Sequence, residues 1–273
     1  MEERFCYACD VLGYRNIMIN LPLSDQQGRI EEWKKLINEG MQKFNLSEHV
    51  IASDTLFVCA DYAKDNLVRL LNFSKYMLVE GTKKCFPIRG AVALGDVVLD
   101  NDKNLAYGKA AADAYSLAEE QDWIGTCCAP HLPFVDCMWD FDLVFVYPAP
   151  MKGGSVIYCP VVSWDIPSYS DLRKSTTRLG LVDEKEDMSW KYANRIQNTI
   201  MLKWYLNGAK KGIIRAKPRS FLGDLPMKHI DDLVSDLLFD AYLRNHGYTA
   251  TRTPDGETTY TMPERRGPII TKK

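Results

Sequence analysis

No uncharged apolar stretch in this 273-residue chain approaches the ~18 residues of a membrane span. The segment after Met1-Glu2-Glu3-Arg4 also lacks the apolar centre of a signal peptide. No membrane partner is expected, and the cytoplasm is the expected compartment. A dominant charge is missing as well: 34 Lys and Arg stand against 36 Asp and Glu, for a net charge of -2. Without a basic field the chain is not expected to bind nucleic acid, and any phosphate recognition should be local. Eight cysteines are too few for a disulfide scaffold of this length, and several lie in apolar runs such as Ile124-Gly125-Thr126-Cys127-Cys128-Ala129. The four histidines, His49, His131, His229 and His246, show no metal-ligand spacing with Cys or Glu, which argues against a zinc hydrolase. A Gly-rich Walker motif is absent, which argues against a P-loop enzyme. What is present is 46% apolar and 26% charged content, enough for a full core in one large domain or in a domain with an extension.

Periodicity gives an alternation of strands and helices. A first strand, Phe5 to Asp10, precedes a helical stripe of Ile30, Trp33, Ile37, Met41 and Phe44, then a hairpin around Asp54. A second stripe, Leu67, Leu70, Leu71, Ser74, Met77 and Leu78, predicts another helix, and both helices can cover one sheet face. Phe86 to Leu99 reads as two strands or one strand bent at Gly95. The Ala-rich run from Lys109 to Glu120 predicts a helix. Phe141 to Tyr147 and Ser155 to Val162 predict a hairpin turning at Lys152-Gly153-Gly154. The order is βαββαββαββ, an α+β sandwich. Beyond Asp165 the composition shifts: Pro167 to Asp187 reads as a loop. Amphipathic helices follow at Trp190 to Asn207 and Asp231 to Arg244, packed on the first domain or on a dimer partner. The end is a loose tail or a short hairpin at Pro254-Asp255-Gly256. The division is therefore 1–165 and 166–273.

Two acids, each on a short apolar strand, carry the chemistry. Asp10 ends Phe5-Cys6-Tyr7-Ala8-Cys9-Asp10, and Asp54 lies in Val50-Ile51-Ala52-Ser53-Asp54-Thr55-Leu56. A carboxylate at the end of a buried strand is costly unless a cation meets it, and two together suggest divalent metal. Cys6, Ala8 and Asp10 share one strand face, and their small size suggests an open cleft there, with Phe5, Tyr7 and Cys9 under the helices. Gly13 permits a tight strand-to-helix turn whose backbone N–H groups, from Gly13 through Tyr14 and Arg15 to Asn16, can meet an anion. A plain connector with Asp10 as a helix cap is the alternative for that segment taken alone.

Taken in order, Asp10-Val11-Leu12-Gly13-Tyr14, Ser53-Asp54, Arg89-Gly90-Ala91-Val92-Ala93-Leu94-Gly95-Asp96 and Tyr107-Gly108 resemble the class III nucleotidyl cyclase catalytic domain, over residues 4 to 165. The resemblance implies a ferredoxin-like palm, a sheet with helices on one face, followed by a C-terminal helical extension. It also implies a homodimer with active sites at the interface, and two divalent cations, Mn²⁺ or Mg²⁺, held by Asp10, Asp54 and the Val11 carbonyl. One metal would activate the 3′-hydroxyl for in-line attack on the α-phosphate while the other holds the leaving pyrophosphate. No Gly-Gly-Asp/Glu-Glu-Phe signature occurs, which argues against a diguanylate cyclase.

The departures from that family bear on substrate. Val50 stands at the base-binding position where purine cyclases carry a lysine or glutamate, and Leu105 stands at the second base-reading position. Ala112 and Ser116 stand where the family places a transition-state Asn and Arg. A compact domain of this kind is most similar to the bacterial Pycsar pyrimidine cyclases. That implies a pyrimidine nucleoside triphosphate as substrate, UTP ahead of CTP, and a cyclic product read by a separate effector in anti-phage defence. A catalytically silent cyclase-like binding or regulatory protein is the alternative. Arg89 is a candidate phosphate or transition-state ligand, or else a surface ion-pair partner; Lys152 is a candidate for the terminal phosphate, or else a solvated turn residue. Asp136, Asp140 and Asp142 flank an apolar strand and read as solvent-facing, and Trp190, Trp204 and Tyr205 read as helix core.

Overall fold

A computed structural model describes residues 3–129, 132–134, 143–177, 190–210, 249–252 and 258–261. The elements are β1 (Arg4–Val11), α1 (Tyr14–Asn20), α2 (Leu23–Lys43), β2 (Glu48–Ala52), β3 (Thr55–Asp61), α3 (Lys64–Lys83), β4 (Ile88–Gly95), β5 (Val98–Asp100), β6 (Leu105–Tyr107), α4 (Lys109–Glu120), β7 (Gly125–Cys128), β8 (Val144–Pro150), β9 (Val156–Val162), α5 (Tyr169–Thr177), α6 (Trp190–Lys210), β10 (Thr249–Arg252) and β11 (Thr258–Thr261). Seven strands form one sheet in the order β2-β3-β1-β4-β7-β9-β8. Its pairs are antiparallel except β4 with β7. The fold class is α+β, as the sequence predicts. The chain divides into two compact units, 1–200 and 201–273.

Strand alternation assigns the two sheet faces. Tyr7 meets Phe73 of α3 edge-on at 5.9 Å, and Trp33 of α2 lies 5.4 Å from Phe86. The whole predicted α3 stripe is buried, so α2 and α3 close the bulky face. Gly90 is required here, because a Cβ on it would stand 2.7 Å from a carbon of the Tyr7 ring.

The opposite face departs from expectation. Cys6, Ala8 and Ala93 do not border an open cleft; Ala110, Ala111 and Ala114 of α4 pack directly on them. Small side chains on β1 and β4 are there because an alanine-faced helix approaches the sheet closely. Gly108 sets where that helix begins: its φ is +112°, and a Cβ would come within 2.5 Å of the Asp96 carbonyl oxygen. That same carbonyl accepts from the Ala110 N–H at 3.1 Å.

Other differences are local. The first predicted helix is two, α1 and α2. Residues 86–99 bend at Gly95 into β4 and β5, and β5 pairs with β6 as a small hairpin. Four-residue β7 was not predicted, being too short for a period. Residues 169–177 of the expected loop form α5. Lys152–Gly154 is a single 3₁₀ turn with Gly153 at φ +80°, joining β8 to β9. The predicted helix at 231–244, the turn at 254–256 and Asp136, Asp140 and Asp142 lie outside the described residues. β10 and β11 pair on either side of that turn.

Candidate active site

Asp10 is the penultimate residue of β1 and stands opposite Arg89 in the β1–β4 register. Directly opposed residues project to one face, so the guanidinium meets the carboxylate squarely. Arg89 Nε donates to Asp10 Oδ1 at 2.8 Å and Nη2 donates to Oδ2 at 2.9 Å. The third nitrogen, Nη1, donates to the carbonyls of Glu119 and Gln121, where α4 ends. Those carbonyls carry the partial negative charge of a helix C-terminus, which suits a cation. Arg89 is 7% exposed. It is therefore neither the surface ion-pair partner nor the freely reaching phosphate ligand that its strand-end position suggests, but a buried group holding Asp10 to the end of α4.

Gln121 locks this end. Fully buried, it donates to the carbonyls of Gly90 at 2.8 Å and Leu117 at 2.9 Å and accepts from the Trp123 indole at 2.7 Å. The sequence reading passed over it. A glutamine immediately after an Ala-rich helix was the available signal, since an amide can serve a helix end and a strand at once.

Asp54 occupies the turn between β2 and β3, after Ser53 at φ +61°. Because Cys9 pairs with Leu56, the turn reaches the same end of the sheet as Asp10. The Asp54 carboxyl titrates above its ordinary value, first because of burial and further because of the Asp10 charge, with Arg89 opposing. The two acids thus lie within each other's field, and Arg89 pairs with Asp10 alone.

The remaining candidates fall around this pair or away from it. Val11 is 2% exposed and sits opposite Ile88. Gly13 has φ +83°, as a tight turn into α1 requires, and the turn is pinned by the Leu12 N–H donating to the Pro87 carbonyl at 2.8 Å. Half-buried Tyr14 stands beside Ser53 and Asp54: burial pushes its hydroxyl pKa up, Ser53 opposes this and the Asp54 charge adds to it. Arg15 is exposed, and the Asn16 side chain lies outside the described residues. Exposed Lys152 pairs with Glu119 at 3.5 Å, at the same end of α4 that Arg89 caps.

Val50 does not suit the base-binding role. It is 2% exposed, paired opposite Phe57, and the β5–β6 hairpin lies against its strand. An apolar side chain at a strand centre is covered by the elements around it, so a base cannot reach it. Ala112 and Ser116 are exposed on α4, and between them in sequence lies Tyr115, 40% exposed, its ring 6.3 Å from that of Phe57. Sequence reasoning missed this aromatic pair, although a tyrosine in an alanine helix was the signal for it.

The donor set fits a divalent cation. Two carboxylates against one guanidinium leave a net negative charge, and Asp10 retains lone pairs on both oxygens beyond those that Arg89 occupies. Among the described residues no group of three or more His, Cys, Asp or Glu side chains could hold a metal. A cation here would therefore rely on Asp10 and Asp54 with backbone oxygen and substrate oxygens.

No protein-family model and no curated protein matches this chain. Among solved structures, a bacterial light-regulated adenylyl cyclase aligns at 12% identity over 65% of this chain and 56% of its own, TM-score 0.49. The adenylyl cyclase CyaB from P. aeruginosa aligns at 11% identity over 59% of this chain and 93% of its own, TM-score 0.45. The guanylyl cyclase Cya2 aligns at 10% identity over 61% of this chain and 94% of its own, TM-score 0.44.

Proposed function

We propose that this chain is a metal-dependent nucleotidyl cyclase that converts a pyrimidine nucleoside triphosphate, UTP ahead of CTP, into its 3′,5′-cyclic monophosphate and pyrophosphate. The observation that carries this reading is that Asp10 and Asp54 stand at one end of β1 and β3, near enough that the Asp10 charge adds to the burial that raises the Asp54 carboxyl pKa. Two divalent cations, Mn²⁺ or Mg²⁺, bound by Asp10, Asp54 and the Val11 carbonyl would supply Lewis acidity and neutralise the polyphosphate. In the reaction the O3′–Pα bond forms, the bond from Pα to the pyrophosphate oxygen breaks, and the 3′-hydroxyl proton passes to solvent.

The chain's own groups have distinct parts. Arg89, tied to the end of α4, fixes the Asp10 carboxylate and is a positioning residue in this reading. The turn from Gly13 through Tyr14, Arg15 and Asn16 lies beside Asp54 and offers backbone N–H groups to phosphate. Lys152, on its glycine turn, reaches the same region through Glu119. Exposed Leu105, at the second base-reading position of the resembled family, offers no polar group to a purine edge, which supports a pyrimidine over a purine. The working form is a homodimer with active sites at the interface, and the cyclic product is a defence signal read by a separate effector.

The test is incubation with each of the four nucleoside triphosphates and Mn²⁺ or Mg²⁺, measuring cyclic nucleotide and pyrophosphate. Cyclic UMP or cyclic CMP is expected, with Asp54→Asn folded and inactive. No product from any triphosphate with either metal would overturn the enzyme reading. One observation favours the second reading, a silent nucleotide-binding protein: Arg89 engages both oxygens of Asp10, as it would if no metal ever bound there.

A further inference from the structure

We propose that Tyr115, backed by Phe57, is the platform on which the nucleobase stacks; the inference rests on the cyclase reading of the acid pair and names where its substrate's base lies. Phe57 stands opposite Ala8 in the β1–β3 register and opposite Val50 in the β2–β3 register, so its side chain shares the sheet face of Asp10. It is half-buried under α4, packed against Ala8, Ala93 and Ala114. Tyr115, the residue after Ala114, turns its ring toward Phe57 at 6.3 Å with the planes 34° apart and leaves 40% of itself in solvent. Tyr115 lies close enough to the acids for the charges of Glu119, Asp10 and Asp54 to raise its hydroxyl pKa after partial burial does so, with Arg89 opposing.

The spacing suits a nucleotide. Ala8 and Asp10 are two residues apart, ~7 Å along the strand, the scale at which a ribose separates base from α-phosphate. An aromatic face accepts a base without a polar partner at the base edge. This accounts for a base site without the polar group that Val50 and Leu105 fail to supply, and it moves that site from Val50 to the outer side of its cross-strand neighbour. Large exposed aromatics also serve protein interfaces, so contact with a second copy of the chain is the rival role for this ring.

The probes are α,β-methylene-UTP, which cannot be cyclised, and inorganic triphosphate, which has no base, each titrated calorimetrically with Mn²⁺ into the full chain. Tyr115→Ala is expected to weaken binding of the methylene analogue about ten-fold and to leave triphosphate binding unchanged. Tyr115→Phe should bind both as the original does. Equal affinity of Tyr115→Ala for the analogue overturns the platform. So does a parallel loss of both ligands, or a loss explained by a changed sedimentation state. If the unaltered chain binds neither probe, the cyclase reading falls first and the platform with it; if it binds both and only the variant result fails, the cyclase reading stands.

Discussion

The two faces of the sheet are built on opposite rules. Under α2 and α3, large side chains such as Tyr7, Phe73, Trp33 and Phe86 interlock, and the helices stand off at the distance those rings demand. Under α4, alanine meets alanine and cysteine, and helix backbone comes close to strand backbone. The difference teaches where chemistry can be put. On the close-packed face one arginine spans from a strand carboxylate to the carbonyls of a helix end, as Arg89 does between Asp10 and Glu119 and Gln121. The bulky face holds the molecule together, and the small face shapes the site.

The largest effect that tests this division is on the bulky side. Phe73→Ala empties a fully buried ring position and should cost about 4 kcal/mol of stability, read from the urea midpoint. Mn²⁺ affinity of the protein that remains folded should be unaltered; a matching loss of metal binding would erase the distinction between the faces. Arg89→Met on the small side should cost about 3 kcal/mol, because it leaves Asp10 without its partner and two helix-end carbonyls without a donor. Here metal binding should change as well, which the Phe73 variant does not predict. An Arg89→Met protein with unaltered stability would mean that the bidentate pair contributes nothing to holding α4.

Much of this was legible in the sequence, and the failures share a cause. The α3 stripe, the Asp54 hairpin, the bend at Gly95 and the Lys152 turn follow from local periodicity and from glycine. The small residues on β1 were seen, but one chain segment does not say whether smallness means room for a ligand or a close helix; α4 answers that from a hundred residues away. Arg89 was singled out for its charge, yet its role depends on β1–β4 register and on where α4 ends, neither of which is written near residue 89. The place of Val50 before Asp54 suggests a base reader, whereas its burial in the folded chain depends on the strands and hairpin around it. The burial of Arg89 and of Val50 is set by neighbouring elements, which their own segments do not show.

The smallest expected effect is electrostatic and separates the two acids. Asp54 must lose its proton to hold a cation, and its carboxyl is raised from 3.8 by burial and by Asp10. Mn²⁺ affinity, followed by the electron paramagnetic resonance of the free ion, should therefore climb as pH rises out of the ordinary carboxylate range and level off once Asp54 is ionised. Arg89 acts in the other direction, lowering the Asp54 value. Removing the guanidinium in Arg89→Met takes away that pull, so the acid ionises later and the climb should move to higher pH. A move to lower pH has the wrong sign for a cation lost nearby, and no movement would place Arg89 outside the field of Asp54. Either result would mean that the guanidinium holding Asp10 does not act on Asp54.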